Sequence, residues 1–332
     1  MKFLIIRFSS IGDIVLTTPV IRCLRKKYPE AEIHFLTKQA FRNIVAGNPY
    51  INKIHVLGDS FELMLHELLT EEYDYIIDLH HNLRTLRVKK HLKNVKAFSF
   101  DKLNIEKYML TALKINILPK KHIVDRCLDT VKKLGVENDG LGLDYFIPEK
   151  DVVSNKDLPT SHLHGYIAVV IGAALGTKKM PLHKLKELCA GIDHPLILLG
   201  GKEDYANGQV IAAVDEVKVY NACGKFNLNE SADLVRRSKL VISHDTGLMH
   251  IAAALQKPII SVWGNTVPAF GMYPYYGKFS KQHYDVVEIN KLWCRPCSKI
   301  GYNKCPHGHF KCMELLDMRL VAQTALSLVL SK

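Results

Sequence analysis

The fold is decided by the stretch Ser243-His244-Asp245-Thr246-Gly247-Leu248-Met249-His250, which follows the apolar run Leu240–Ile242 and precedes a small-residue pattern, Ile251–Leu255. The pattern predicts a buried strand that enters a helix through a polar turn. Free N–H groups at the start of such a helix attract phosphate, and the helix dipole adds to that attraction. Gly247 lets an anion approach the backbone closely, and Asp245 can cap the helix or meet a ligand hydroxyl. The turn therefore predicts a pocket for a nucleoside diphosphate.

Apolar runs of strand length alternate with helical patterns along the whole chain. The first series begins at Lys2–Phe8 and the second at Tyr166–Ile171, with a polar stretch at residues 148–164 between them. We therefore predict an α/β protein of two Rossmann-like doubly wound domains that face a cleft. The predicted domains are residues 1–158 and 159–312.

Two long helices are predicted from apolar residues at helical spacing. One runs from Asp13 to Lys27, where Tyr28-Pro29 ends it. The other lies in the C-terminal segment, residues 313–332, and carries an apolar stripe that must pack on a neighbour. We expect that this helix can return to the first domain.

Composition narrows the class of protein. The 332 residues are 48% hydrophobic and 23% charged, which is typical of a globular protein. No apolar run approaches the roughly 20 residues of a membrane span. Arg7 and Ser9 interrupt the apolar N-terminal stretch early, so we interpret it as a core strand and expect a cytoplasmic protein.

Net charge gives a second constraint. The chain holds 45 Lys plus Arg against 33 Asp plus Glu, a net charge of +12, which favours an anionic partner. The basic clusters lack the interleaved aromatic residues of a single-strand nucleic-acid platform, so no nucleic acid is expected.

Asp13 is the candidate catalytic residue. It follows the loop Ser9–Gly12 at the end of the first strand, and it opens the first helix. A carboxylate is stabilised at a helix N-terminus, and the alternative is that Asp13 only caps its helix.

Three further loops follow predicted strands. Lys178 comes after the small residues of 172–177 and can neutralise phosphate, although the segment does not match a Walker A loop. Glu203 follows Gly200-Gly201 and can accept hydrogen bonds from a ribose or a base, or can simply cap a helix. Arg84, after His80-His81-Asn82, offers a guanidinium fork to phosphate or carboxylate, and its alternative is a solvent-facing loop.

Four of the eight cysteines crowd near the C-terminus. They are Cys294, Cys297, Cys305 and Cys312, with His307 and His309 between the last two. Their spacing is compatible with a structural zinc held by four thiolates, or by three thiolates and one imidazole. Thiols packed under a loop are the alternative.

The chain resembles glycosyltransferase family 9, the ADP-heptose lipopolysaccharide heptosyltransferases. The resemblance rests on several blocks in a fixed order, which are Arg7–Asp13, Lys178–Pro181, Gly200–Asp204, Ser243–His250 and Pro258–Gly264. It implies a glycosyltransferase-B fold and an inverting transfer of a heptose or similar sugar. The implied donor is ADP-heptose, and the implied acceptor is an anionic glycolipid, the lipopolysaccharide inner core, at the inner membrane face.

Roles carry over from the family to matching positions. The resemblance implies that Asp13 is the general base and that no cofactor is required for the chemistry. The implied donor-binding residues are Lys178, Glu203, Asp245, Thr246, Gly247, Leu248 and His250. We place Ser10, Gly12 and Arg84 at the acceptor.

Departures from the family leave alternatives open. Family members often carry Thr or Ser where this chain has Ala173 and Ala174, and an aromatic residue where it has Met180. The donor is therefore less defined than the reaction class. The competing hypotheses are a sugar-nucleotide epimerase of similar fold and a non-catalytic nucleotide- or nucleic-acid-binding protein.

Overall fold

The computed structural model describes residues 1–330, which form two compact units. The first unit comprises residues 1–103, 121–146 and 277–280, and the second comprises residues 104–120, 147–276 and the chain from 281 onward. The α/β class with two doubly wound sheets is confirmed.

The border between the units differs from the predicted one. Residues 147–158 belong to the second unit. One reason is that the Asp151 carboxylate, which is buried, accepts hydrogen bonds from the side chains of Asn227 and Asn229 at 3.1 and 2.8 Å.

Parallel strands form one sheet in each unit. In chain order the strands are β1 (Lys2–Ile6), β2 (Glu32–Lys38), β3 (Lys53–Leu57), β4 (Tyr75–Asp78), β5 (Lys96–Ser99), β6 (Ile167–Val170), β7 (Leu196–Leu199), β8 (Val219–Asn221), β9 (Leu240–His244), β10 (Ile259–Trp263) and β11 (Tyr284–Glu288). The first sheet has the order β3-β2-β1-β4-β5, and the second has the order β11-β10-β9-β6-β7-β8.

Helices connect these strands. In chain order they are α1 (Ile11–Val15), α2 (Thr18–Lys27), α3 (Arg42–Val45), α4 (Phe61–Leu69), α5 (Leu83–His91), α6 (Asn104–Tyr108), α7 (Ile123–Asp129), α8 (Leu182–Gly191), α9 (Tyr205–Ala212), α10 (Leu228–Arg237), α11 (Gly247–Ala254), α12 (Lys311–Glu314) and α13 (Met318–Leu330).

Continuous apolar runs make the central strands. Phe3–Ile6 of β1 and Ile167–Val169 of β6 are fully buried, as expected when a parallel sheet is covered on both faces. β1 pairs with both β2 and β4, and β6 pairs with both β7 and β9. The carboxyl ends of each neighbouring pair therefore lie together.

The predicted helix from Asp13 to Lys27 is two helices, α1 and α2. The hydroxyls of Thr17 and Thr18 donate to the carbonyls of Ile14 and Val15, each at 2.7 Å. Pro19 has no N–H to continue the helix from α1. Side-chain hydroxyls and a proline thus interrupt the ladder that apolar spacing alone predicted.

The C-terminal segment also differs from the prediction. It forms α12 and α13 with a break between them, where Asp317 accepts from the N–H groups of Arg319 and Leu320. The buried side chains of α13, among them Ala322 and Ala325, belong to the core of the second unit, where α13 packs on α8. Residues 331 and 332 of the predicted helical segment lie outside the described residues.

β11 was not predicted from the sequence. Its side chains are only half buried because it is the edge strand of the second sheet, and Asp285 and Glu288 interrupt its apolar character. Such a strand lacks the continuous apolar run of its neighbours.

Within residues 1–330, no helix is both long enough and apolar enough to cross a membrane.

A buried histidine pair lies in the first sheet. His34 on β2 and His55 on β3 both contact the hydroxyl of Tyr73, at 2.9 and 3.0 Å. Glu71, 3.7–3.8 Å from the two rings, is ion-paired with Lys2 and Lys53 at 3.0 and 2.5 Å. These ammonium groups already neutralise the carboxylate, so we interpret the group as an ion-pair network and not as a metal site. Burial lowers the pKa of His55 to about 4.

We predict that acid destabilises the first unit through His55. Its folded pKa lies below the unfolded value of about 6.5, so the unfolded chain takes up the proton more readily as pH falls. The stability that neutral His55 contributes is complete above about pH 6.5 and is lost towards pH 4, by on the order of 1–2 kcal/mol between pH 7 and 5.

Urea unfolding at pH 7 and pH 5 measures this effect. His55→Gln should lose less stability between the two pH values than the unaltered chain loses. His66→Gln, at an exposed position on α4, is the matched control and should behave like the unaltered chain. An acid loss that is the same with and without His55 contradicts the prediction.

Candidate functional site

The candidate site of the second unit lies where the strand order reverses. From β6 the chain proceeds to β7 and β8 on one side of the sheet, and to β9, β10 and β11 on the other. The connections that follow β6 and β9 therefore lead to opposite sides of the sheet, and in doubly wound folds ligands bind at the carboxyl edge beside such a reversal point. The loop after β6 carries Lys178, and the turn after β9 carries Asp245 and Thr246.

Lys178 and Asp245 form a nearly buried ion pair at this edge. The Lys178 ammonium lies 2.7 Å from Asp245 Oδ2, and the side chains are 20% and 8% exposed. The same Oδ2 accepts a hydrogen bond from the Thr266 hydroxyl at 2.9 Å. Asp245 Oδ2 thus accepts hydrogen bonds from both Lys178 and Thr266, and it orients the Lys178 ammonium.

The N-terminus of α11 supplies backbone donors. Thr246 is its N-cap residue and makes no side-chain cap to the helix, while Gly247 and Leu248 are partly exposed. The first N–H groups of a helix have no partner within the helix, so this turn offers them to an anion. His250 lies one turn further on and is 1% exposed.

His244 joins the turn after β9 to the loop after β6. Its Nε2 atom accepts a hydrogen bond from the Met180 N–H at 3.0 Å, and the ring is fully buried. Burial lowers the pKa of His244 to about 4, so the ring is neutral at physiological pH. His244 therefore fixes the Lys178 loop without adding charge.

The loop after β7 separates the roles of Glu203 and Asp204. Glu203 is exposed. Asp204 is buried, and it forms an ion pair with Lys179 at 2.6 Å and accepts from the Gly201 N–H at 3.0 Å. Asp204 holds the loops after β6 and β7 together, and Glu203 is left accessible to a ligand.

Sequence reasoning missed the residues that follow β10. Thr266 contacts Asp245, and Asn265 is 2% exposed with no hydrogen-bond partner for its side-chain amide among the described residues. A buried amide without partners is uncommon. The available signal was a pair of polar residues directly after the apolar strand at Trp263-Gly264.

In the first unit, Asp13 follows β1 at the carboxyl edge of the sheet, where β1 and its neighbour β4 end. Its Oδ1 atom is 2.5 Å from an Arg7 nitrogen, and its Oδ2 atom accepts from the N–H and the hydroxyl of Ser10 at 3.1 and 2.6 Å. Arg7 also donates to the carbonyls of Ser9 and Leu79. The guanidinium thus ties the ends of β1 and β4 together and orients a carboxylate that is 22% exposed.

The other predicted site residues of the first unit differ in their exposure to solvent. Ser10 is exposed and contacts Asp13, whereas Gly12 is buried within α1. Arg84 is exposed in the first turn of α5. His80 lies near Arg7, and burial together with that positive charge lowers its pKa to about 4, so it stays neutral.

The four C-terminal cysteines lie in the second unit. All eight cysteines of the chain are unpaired thiols. The sulfurs of Cys294 and Cys297 and a ring nitrogen of His307 lie within 4.8 Å of one another. Cys305 and Cys312 lie outside this group of three, although both are close enough to interact electrostatically with Cys297.

Comparisons with known proteins agree on one family. The family model described as glycosyltransferase family 9 (heptosyltransferase) matches residues 63–303. A relative, lipopolysaccharide heptosyltransferase 1 of Campylobacter coli, is 26% identical over 294 residues, which cover 80% of this chain and 84% of that protein.

Solved structures show the same fold. The family 9 glycosyltransferase from Veillonella parvula has a TM-score of 0.80 at 22% identity, covering 100% of this chain and 98% of that one. The E. coli heptosyltransferase WaaC with ADP has a TM-score of 0.70 at 20% identity, covering 99% and 100%.

We predict that Lys178 and Asp245 stabilise the fold only as a pair. Lys178→Met leaves a buried carboxylate without its cation, and should lower the free energy of unfolding by on the order of 2–3 kcal/mol. Adding Asp245→Asn should recover part of that loss, giving a coupling energy of about 1–2 kcal/mol in a double-mutant cycle measured by urea unfolding.

The exposed pair Lys121–Asp129, with a distance of 2.5 Å, is the matched control. Its side chains are 41% and 48% exposed, so solvent screens the pair and its coupling should be below about 0.5 kcal/mol. Equal coupling in the two cycles contradicts the role that we assign to Asp245.

Proposed function

We propose, from the premise that the chain belongs to glycosyltransferase family 9 and is a heptosyltransferase, that it moves a heptose from ADP-heptose to the inner core of lipopolysaccharide with inversion. The observation that carries the proposal is the Lys178 ammonium beside the N-terminus of α11, at the reversal point of the second sheet. A diphosphate is the ligand that such a combination favours.

The donor binds the second unit in this proposal. Lys178 and the first N–H groups of α11 hold the diphosphate, with Thr246, Gly247 and Leu248 forming the turn. Asp245 acts mainly by orienting Lys178, since its Oδ2 atom is already hydrogen-bonded. Exposed Glu203 meets the nucleoside, and His250 supports α11 from its buried side.

Asp13 is the proposed general base on the first unit. As the acceptor oxygen attacks the anomeric carbon, the carboxylate takes the hydroxyl proton. The bond from that carbon to the diphosphate breaks at the same time, so the sugar is transferred with inversion and ADP leaves. Arg7 and Ser10 hold the carboxylate in one orientation, and this lowers the entropy lost at the transition state.

Departure of ADP needs charge stabilisation and no cofactor. Negative charge grows on the leaving phosphate, and the fixed N–H groups of α11 with the Lys178 ammonium stabilise it without rearranging. Lys178 is already ion-paired with Asp245, so the leaving phosphate must share the ammonium with that carboxylate. We therefore propose that no metal ion takes part in the chemical step.

The acceptor is proposed to be an anionic glycolipid. Exposed Arg84 and Lys90 lie on α5 of the first unit and offer positive charge to phosphorylated sugars. Such an acceptor is held at a membrane surface, whose anionic lipids also attract basic side chains. We propose that the protein works in the cytoplasm at the inner membrane face.

Asp13→Asn should separate chemistry from donor binding. The amide keeps the size of the side chain but cannot take a proton, so kcat should fall by roughly 10²–10⁴ while the affinity for ADP stays within about twofold. Isothermal titration with ADP and a single-turnover transfer assay measure the two quantities. Asp59→Asn, at an exposed position of the same unit, should leave both unchanged.

Thermal shifts with nucleotides should identify the donor. ADP at about 100 times its dissociation constant should add roughly 2.7 kcal/mol of stability, and UDP, GDP and CDP should add less. The shift should disappear in Lys178→Met. Conversion of a nucleotide sugar to its epimer without transfer supports the epimerase hypothesis instead. Salt-sensitive binding of random DNA with no nucleotide effect supports the binding-protein hypothesis.

A further inference from the structure

The cysteine loop, defined as residues 289–310, joins β11 to α12 without a helix or strand of its own. It contributes few buried apolar side chains, and Trp293 and Ile300 are 70% and 61% exposed. A segment of this length without regular structure needs another source of order inside a compact domain.

Sulfur and nitrogen atoms converge within this loop. Cys294 is buried and Cys297 is half buried, and both sulfurs are within 4.8 Å of each other and of a His307 ring nitrogen. Two thiolates separated by two intervening residues, together with an imidazole from a second turn, are a ligand set that divalent zinc prefers. Cys305, two residues before His307, and Cys312 are the thiols nearest to this group.

His309 supports one of the thiolates from outside the group. Its Nδ1 atom accepts a hydrogen bond from the Lys311 N–H at 3.0 Å, so in the neutral ring Nε2 carries the proton. That Nε2 atom lies 3.7 Å from the Cys294 sulfur and can donate to it. A protonated nitrogen cannot bind a metal, so His309 fits an outer position and His307 a direct ligand.

The loop is fastened to the polypeptide that carries the ion pair of Lys178. The Tyr302 carbonyl accepts from the N–H and the hydroxyl of Thr177 at 2.9 and 3.0 Å, and the Tyr302 N–H donates back to that hydroxyl at 2.8 Å. A Cβ atom on Gly176 would lie 2.2 Å from the Asn303 carbonyl oxygen, so the two backbones are in direct contact.

A second set of contacts reaches Asp245. The Arg295 guanidinium donates to the carbonyls of Gly264 and Thr266 at 2.6 and 2.8 Å, and the Cys297 N–H donates to the Asn265 carbonyl at 3.3 Å. Thr266 in turn holds Asp245 through its hydroxyl. Cys294 and Cys297 thus lie on either side of Arg295, which holds the loop after β10 that contacts Asp245.

We propose that Cys294, Cys297 and His307 bind a structural zinc ion, with a further thiolate from Cys305 or Cys312, and that this ion holds the Lys178 and Asp245 loops in the geometry that binds the diphosphate. The metal binds without a redox step: each coordinating thiol gives up its proton to solvent, and the zinc–sulfur bonds replace zinc–water bonds. The proposal has two halves: the zinc site is the first, and its effect on the Lys178 and Asp245 loops is the second. Only the second half rests on the proposed function.

Metal analysis of the full chain tests the first half. Protein purified under reducing conditions without chelator should contain about one zinc ion per chain. Cys294→Ser and Cys297→Ser should contain less than a tenth of that. Cys23→Ala, a buried cysteine of the first unit, is the matched control and should keep the ion. If the serine variants do not fold, His307→Ala, at an exposed position, should lose zinc faster to a competing chelator.

Less than about a tenth of an equivalent of any transition metal in the unaltered protein, before and after incubation with zinc under reducing conditions, overturns the metal site. Full retention of zinc by Cys294→Ser or Cys297→Ser also overturns it. These results do not depend on which substrate the enzyme uses.

Affinity for ADP tests the second half. Removing zinc with a chelator should weaken ADP binding at least tenfold, and adding zinc back should restore it. Thr177→Val should weaken ADP binding several-fold while keeping the zinc, because it breaks the hydroxyl contacts with Tyr302. Unchanged ADP affinity after zinc removal overturns the link between the ion and the loops. Failure of the zinc-loaded protein to bind ADP instead identifies an error in the proposed donor.

Discussion

Parallel pairing of β6 with β9 is the constraint on which the second unit depends. The register Ile167 to Leu240 brings the carboxyl ends of both strands to one edge, although more than 70 residues separate them in the chain. Only this pairing puts the Lys178 loop against the turn at Asp245. The apolar runs that produce it are fully buried, so a shift in register would expose the core and move every polar group of the site together.

Charge balance explains why the site can be both stable and receptive. The side chain of Lys178 is four-fifths buried, so its charge is costly to desolvate, and Asp245 offsets that cost before any ligand arrives. In the proposed function, an incoming diphosphate adds negative charge next to a carboxylate, which is unfavourable unless other donors contribute. The N–H groups of α11 supply that contribution, so neither the lysine nor the helix terminus alone is sufficient.

The sequence predicts the strands and the loops at their ends better than it predicts helix breaks and side-chain contacts. Continuous apolar runs such as Phe3–Ile6 predict buried strands clearly, because a strand covered on both faces needs apolar side chains at every position. The break between α1 and α2 depends on how two threonine hydroxyls reach back to carbonyls, which apolar spacing does not reveal. Long-range partners are harder still: Thr266 contacts Asp245 only through the tertiary fold, and no local motif indicates that contact.

The two units use carboxylate–cation pairs in opposite ways. At the second sheet the carboxylate of Asp245 is 8% exposed and the lysine is the more accessible partner, so the acid orients the cation. At the first sheet the carboxylate of Asp13 is 22% exposed and Arg7 is 11% exposed, so the cation orients the acid. The accessible member of each pair is the one that can meet a ligand: a positive group suited to phosphate in one unit, and a proton acceptor in the other. Because a guanidinium does not deprotonate, Asp13 is the basic member of that pair, as the proposed role of general base requires.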